Sequence, residues 1–93
     1  MQVAVCEISL FIPDANSLKA KRQVVKSVIE RIKSRCNASV AETDFQDTWQ
    51  RATITVAIVG TDRKIVEQQM NLVRRIVDDA IGAEATAFDV EYI

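Results

Sequence analysis

Four cations, Lys19, Arg22, Lys26 and Lys33, recur at spacings of three, four and seven residues, with Lys21 and Arg31 among them. On a helix each residue turns by about 100°, so the four fall in one narrow sector and aim at the same patch of solvent. That layout suits a phosphate backbone, because Arg forks onto phosphate oxygens and Lys acts as a point charge. Lys19 and Lys21 also lie near a helix start, where free N–H groups attract anions. The plainer reading is a solvated flank whose aliphatic stems cover apolar surface.

A second cluster packs three carboxylates (Glu42, Asp44, Asp47), Trp49 and Arg51 into the ten residues from Glu42 to Arg51. Trp49 and Arg51 share a side of an extended chain, which suits a nucleobase held between indole and guanidinium. The plainer alternative has Trp49 plugging the end of the core and Arg51 pairing with Glu42 or Asp44 across a hairpin. Glu42, Asp44 and Asp47 are also the ligand type for magnesium or calcium. Their spacing matches no EF-hand loop, however, and lacks its glycine. The two glycines, Gly60 and Gly82, are too sparse for a phosphate-cradling loop. With no histidine in the chain, Ser-His-Asp and Cys-His catalysis, histidine metal sites and histidine pH switching are all excluded. Cys6 and Cys36 make neither a disulfide framework nor a zinc site, and read as buried reduced thiols.

The elements that must position these residues follow from periodicity. Ser17 is a good N-cap for a helix running to Arg35, with Leu18, Val25, Val28, Ile29, Ile32 and Cys36 on one face. Before it, Gln2 to Ile12 alternates as a strand, with Ala4, Cys6, Ile8, Leu10 and Ile12 as the core side, and Pro13 ends it. Ala38 to Phe45 reads as a second strand whose inward face is ambiguous, because Val40, Glu42 and Asp44 share a side. Gln50 to Val59 alternates most clearly, with Ala52, Ile54, Val56 and Ile58 together, and is close enough to the second strand for a hairpin. Gly60-Thr61-Asp62 is a turn and cap before a second helix from Arg63 to about Ile81, stopped by Gly82. Thr86 to Ile93 is a fourth strand. The order β-α-β-β-α-β predicts an α+β domain spanning residues 1–93, a four-stranded antiparallel sheet with both helices on one face. The other sheet face would carry Val3, Val5, Thr53 and Thr55, rather apolar for water, and invites RNA or a second copy of the chain.

Ninety-three residues, 48% hydrophobic and 27% charged, give the composition of an ordinary globular domain. The longest apolar run, near Ile54 to Val59, falls well short of the roughly 20 residues of a membrane span. Residues 1 to 12 lack the basic start and small-residue cleavage site of a signal peptide, so a cytoplasmic location is expected, with no membrane partner. The net charge of −1 hides an asymmetry: residues 1–37 hold seven Lys/Arg against three Asp/Glu (+4), and residues 38–93 hold five against ten (−5). Such a dipolar chain can present one positive face and remain soluble.

Phe11-Ile12-Pro13, Ser17-Leu18-Lys19-Ala20-Lys21-Arg22, Val40-Ala41-Glu42, Asp44, Gln46-Asp47 and Trp49-Gln50-Arg51-Ala52 together resemble the YlxP-like family of small bacterial proteins of unknown function. The likeness runs along almost the whole chain. It implies a ferredoxin-like domain and no catalytic residue. The neighbourhood of the family's genes, beside those of transcription and translation factors, implies association with RNA or the ribosome. Ala20 departs from the acidic residue expected there, which makes this helix start more basic, and Cys36 stands where an aromatic is common.

The reading that follows is a non-enzymatic cytoplasmic factor that binds RNA or a ribosomal subunit. Lys19, Lys21, Arg22, Lys26 and Lys33 would contact phosphates, with Trp49 and Arg51 as a stacking element and no small-molecule cofactor. The alternative is a homo-oligomeric structural or regulatory module, a homodimer joined through the free sheet face. A third is a small metal-dependent hydrolase built on Glu42, Asp44 and Asp47.

Overall fold

A computed structural model describes residues 1–93, in the order β1 (Gln2–Phe11), α1 (Leu18–Arg35), β2 (Ala38–Asp44), β3 (Arg51–Gly60), α2 (Arg63–Asp78) and β4 (Glu84–Tyr92). The four strands form one antiparallel sheet in the order β2-β3-β1-β4, with both helices on one face, the arrangement expected. Each helix starts on the side chain foreseen for it. Ser17 Oγ accepts from the Ala20 N–H at 3.0 Å, and Asp62 Oδ1 accepts from the Ile65 N–H at 3.0 Å. Gly82 takes the left-handed conformation (φ +84°) that glycine adopts without a steric cost, but α2 has already ended at Asp78, three residues earlier than the periodicity suggests.

The core lies between sheet and helices. Ala4, Cys6, Ile8 and Leu10 of β1 and Ala52, Ile54, Val56 and Ile58 of β3 meet Val25, Val28 and Ile32 of α1 and Val66, Met70, Val73 and Val77 of α2. β1 pairs with β3 along its full length, setting Ile8 opposite Ile54 and Cys6 opposite Val56, so the alternation read from each strand lands on one face. The ambiguous β2 resolves through its register: Val40 lies opposite Val56 and is buried, and Glu42 lies opposite Ile54 on the same inward side. A bulge follows between Glu42 and Asp44, where Thr43 turns its hydroxyl to Thr55 Oγ1 at 2.7 Å. The strand ends at Asp44 because Phe45 has φ +61°, which no strand residue adopts. On the opposite face Val3, Val5, Ser9, Thr53, Thr55 and Ala57 are half-buried, with no element of the chain over them.

Candidate nucleic-acid interface

Helix α1 carries its charge in two strips. Lys19, Arg22, Lys26 and Lys33 are exposed, and the one ion pair among them joins Lys26 to Glu30 at 3.9 Å, with both side chains more than 60% exposed. A pair so long and so wet contributes little, so all four cations remain available. This strip points away from α2. Val24, on the other side of α1, faces the turn at Gly82, where an added Cβ would come within 3.6 Å of its methyl group.

The second strip is a groove between the helices. α1 and α2 run antiparallel, with Val24 beside Gly82 at one end and the Asn37 N–H donating to Gln69 Oε1 at the other. Arg31, Arg35 and Arg75 line a groove of about 220 Å³ with Leu72, Ile76 and Asp79, and none of the three arginines forms a salt bridge. The sequence reading had only Arg31, as a neighbour of the main sector. The one-turn spacing of Arg31 and Arg35 would have placed that pair on a common flank, whereas Arg75 joins them only through helix pairing.

Lys21 is not part of this surface, contrary to the expectation that it contacts phosphate. It is fully buried, and its ammonium is saturated. It donates to Glu42 Oε2 at 2.5 Å, to the Phe45 carbonyl at 2.8 Å and to the Gln46 carbonyl at 3.3 Å, three acceptors for three protons. The reason was visible in its spacing: Lys21, Val25, Val28 and Ile32 lie on the buried stripe of one helix. Lys21 is therefore a pin from α1 that fixes the start of the loop between β2 and β3.

That loop departs from the plainer of the two sequence readings. Trp49 does not plug the core; it stands 52% exposed. Arg51 has no carboxylate partner, since Glu42 is taken by Lys21, and its guanidinium instead sits over the Phe45 ring, 4.1 Å from the centroid. The Gln50 side chain donates to the Pro13 carbonyl at 2.9 Å, tying the loop to the chain that leads into α1. Phe45 was missed because only its left-handed backbone turns it beneath Arg51. Glu42, Asp44 and Asp47 do not converge: Asp44 Oδ1 accepts from the Phe45 N–H at 2.8 Å, and no three Cys, Asp or Glu side chains gather into a metal-binding group. Both cysteines are free and buried. Burial pushes the Cys6 thiol up to about 12, with Asp89 and Glu7 adding to the shift and Arg74 opposing it, and burial also raises Cys36.

A β-α-β-β-α-β sheet-and-helix layer of this kind defines the ferredoxin-like class. The chain is similar to the solution NMR structure of a de novo designed protein with ferredoxin fold (TM-score 0.54, 14% identity, covering 100% of this chain and 84% of that one). A protein-family model described as "Protein of unknown function (DUF503)" matches residues 3–90, and the chain belongs to that family. It is 35% identical over 89 residues to the uncharacterized protein YlxP of Bacillus subtilis (strain 168), covering 96% of this chain and 95% of that one. No helix is long and apolar enough to cross a membrane.

Proposed function

We infer that this chain is a non-enzymatic cytoplasmic factor that binds structured RNA or the ribosome through α1. The observation that carries this reading is the charge left unspent on α1: of Lys19, Arg22, Lys26, Arg31, Lys33 and Arg35, only Lys26 forms an ion pair, the long one with Glu30. Six like charges on one helix repel one another, and a polyanion relieves that repulsion while releasing its own counterions. The strip and the groove together flank the exposed ridge of α1, and six cations on two sides of one helix suit a run of phosphates rather than a single anion.

The test is sedimentation of cell lysate through sucrose gradients at low and high salt, probing for this protein. Salt-sensitive co-migration with a ribosomal subunit is the expected result and names the partner. Confinement to the top of the gradient at both salts would sink the reading.

A second reading, a homo-oligomeric module, is favoured by the uncovered sheet face, where Val3, Val5, Ala57 and Ala87 stay only half-buried. Sedimentation at the mass of one chain, at tens of micromolar, would count against it.

A further inference from the structure

The end of the sheet opposite the Gly60 turn holds a pocket of about 340 Å³, large enough for a small planar ligand. Phe11 and Phe45 supply its aromatic surface, Arg51 its charge, and Ser9, Thr53 and Thr86 its hydroxyls. We propose that this pocket takes one unstacked nucleobase of a single-stranded RNA segment, a proposal that rests on the RNA-binding reading above.

Three observations meet here. First, the platform is built in advance. Lys21 holds the Phe45 and Gln46 carbonyls, Phe45 is fixed at φ +61°, and Arg51 is parked 4.1 Å above its ring. A guanidinium already laid on an aromatic ring offers its outer plane to a base, and the ordering cost is met before the ligand arrives. Phe11, 38% exposed, gives a second flat surface across the pocket. Second, two of the three hydroxyls and the guanidinium are uncommitted. Neither the Ser9 and Thr53 hydroxyls nor the Arg51 guanidinium makes a hydrogen bond or salt bridge within the chain. Hydroxyls both donate and accept, which matches the mixed edge of a base better than the uniform edge of a carboxylate or an apolar side chain. Third, the loop that lines the pocket is tied to the cationic helix. Lys21, in the first turn of α1 between Lys19 and Arg22, holds Glu42 and the Phe45 carbonyl, so one loop links the pocket to the helix that carries the free cations. Trp49, exposed at the same loop, gives a neighbouring base a second ring.

The sheet face itself is not the stacking surface. Its central positions on β1 and β3 are Val5, Glu7, Thr53, Thr55 and Ala57, with no ring among them. Base recognition is thus confined to one end, as a single pocket rather than a row.

The experiment compares a short oligouridylate with an abasic strand of the same number of phosphates, and with uridine monophosphate. Each is titrated into the full chain, with amide chemical shifts as the readout. The oligouridylate should move the amides of Phe45, Arg51 and Thr53 and bind more tightly than the abasic strand. Arg51→Ala and Phe11→Ala, both at exposed outer positions, should each weaken the oligouridylate by roughly 5- to 150-fold and leave the abasic strand nearly unaffected. Equal binding of the based and abasic strands would overturn the pocket while leaving α1 as the phosphate surface. Loss of both strands would overturn the two readings together. Uridine monophosphate binding as tightly as the oligomer would keep the pocket and make a free nucleotide its occupant.

Discussion

The two helices have much the same length, but α1 carries seven cations and α2 four, and they use them in opposite ways. On α2, Arg63 is bound to Glu67 at 2.9 Å and lies 3.5 Å over the Tyr92 ring, and Arg74 lies 4.9 Å over Phe88. These arginines are roof tiles for β4, whose aromatic residues α2 covers only partly. On α1, one lysine turns inward to hold a loop, and the remaining cations hold nothing of their own chain beyond the long, exposed pair of Lys26 with Glu30. A count of charges from the sequence gives the helices different totals but does not say which cations are free. What separates them is whether an aromatic ring or a carboxylate lies within reach, and the sheet order, with β4 beside β1 and under α2, decides that.

The largest break in this comparison comes from Lys21, the exception within α1. Lys21→Met leaves Glu42 and two loop carbonyls without their donor in a buried place, and should cost about 3–5 kcal/mol in urea unfolding. Adding Glu42→Leu should recover part of that loss, because replacing both partners removes the stranded charge. A single Lys21→Met variant as stable as the parent would return Lys21 to the free set and undo its role as a pin.

Next in size is the free strip itself. If the four cations Lys19, Arg22, Lys26 and Lys33 each meet a phosphate, the log–log salt slope on single strands should be about −2.8. Lys19→Glu with Lys26→Glu should bring it to about −1.4 or abolish binding. The thermal midpoint should hardly move, with only a few tenths of a kcal/mol lost where Lys26→Glu sets a like charge one turn before Glu30. Unchanged binding in this double variant would remove the strip from the interface.

Most of the architecture was legible in the sequence, because each element had a period, a cap and a stop: Ser17 and Asp62 at the starts, and strict alternation in β1 and β3. The charged residues were legible only where their surroundings were local. Lys19, Arg22, Lys26 and Lys33 share a helix face, so 3.6-residue geometry sufficed. Lys21 shares its stripe with Val25, Val28 and Ile32, and a polar residue there signals a buried partner, but that Glu42 and two carbonyls would supply it depends on which way β2 faces. Setting Trp49 and Arg51 on one side assumed an extended strand through residues 49–51, whereas β3 starts only at Arg51 and the left-handed Phe45 brings its own ring under the guanidinium. The arginine groove lay furthest out of reach, since Arg35 and Arg75 are forty residues apart and meet only through antiparallel helix packing.

A smaller effect sharpens the picture of α2 as an inward-acting helix. Cys6 lies beneath it, and burial first, then Asp89 and Glu7, hold its thiol up to about 12 against the opposing pull of Arg74. A raised native value means that the folded chain keeps a proton the unfolded chain releases near pH 9, so this contribution is complete below about pH 9 and is lost as pH climbs towards about 12. The slope is on the order of 1 kcal/mol per pH unit. Urea midpoints of the parent and of Cys6→Ala, measured from pH 8 to pH 11, should diverge in slope, with the parent falling more steeply. Parallel curves would mean that the thiol ionises in the folded chain.

The smallest effect separates the two helices most directly. Arg63→Ala and Arg74→Ala each remove a cation that rests on a ring, and at these exposed positions each should cost about 0.5–1 kcal/mol of stability. RNA affinity and its salt slope should stay where they were, because those charges already answer to Tyr92, Glu67 and Phe88. Arg31→Ala and Arg35→Ala remove the same guanidinium from the groove side, where no partner inside the chain loses anything. Their stability cost should be close to zero, and each should lower the salt slope by about 0.7 if it meets a phosphate. An identical loss of RNA affinity from both pairs would mean that binding senses total charge rather than the arrangement on α1.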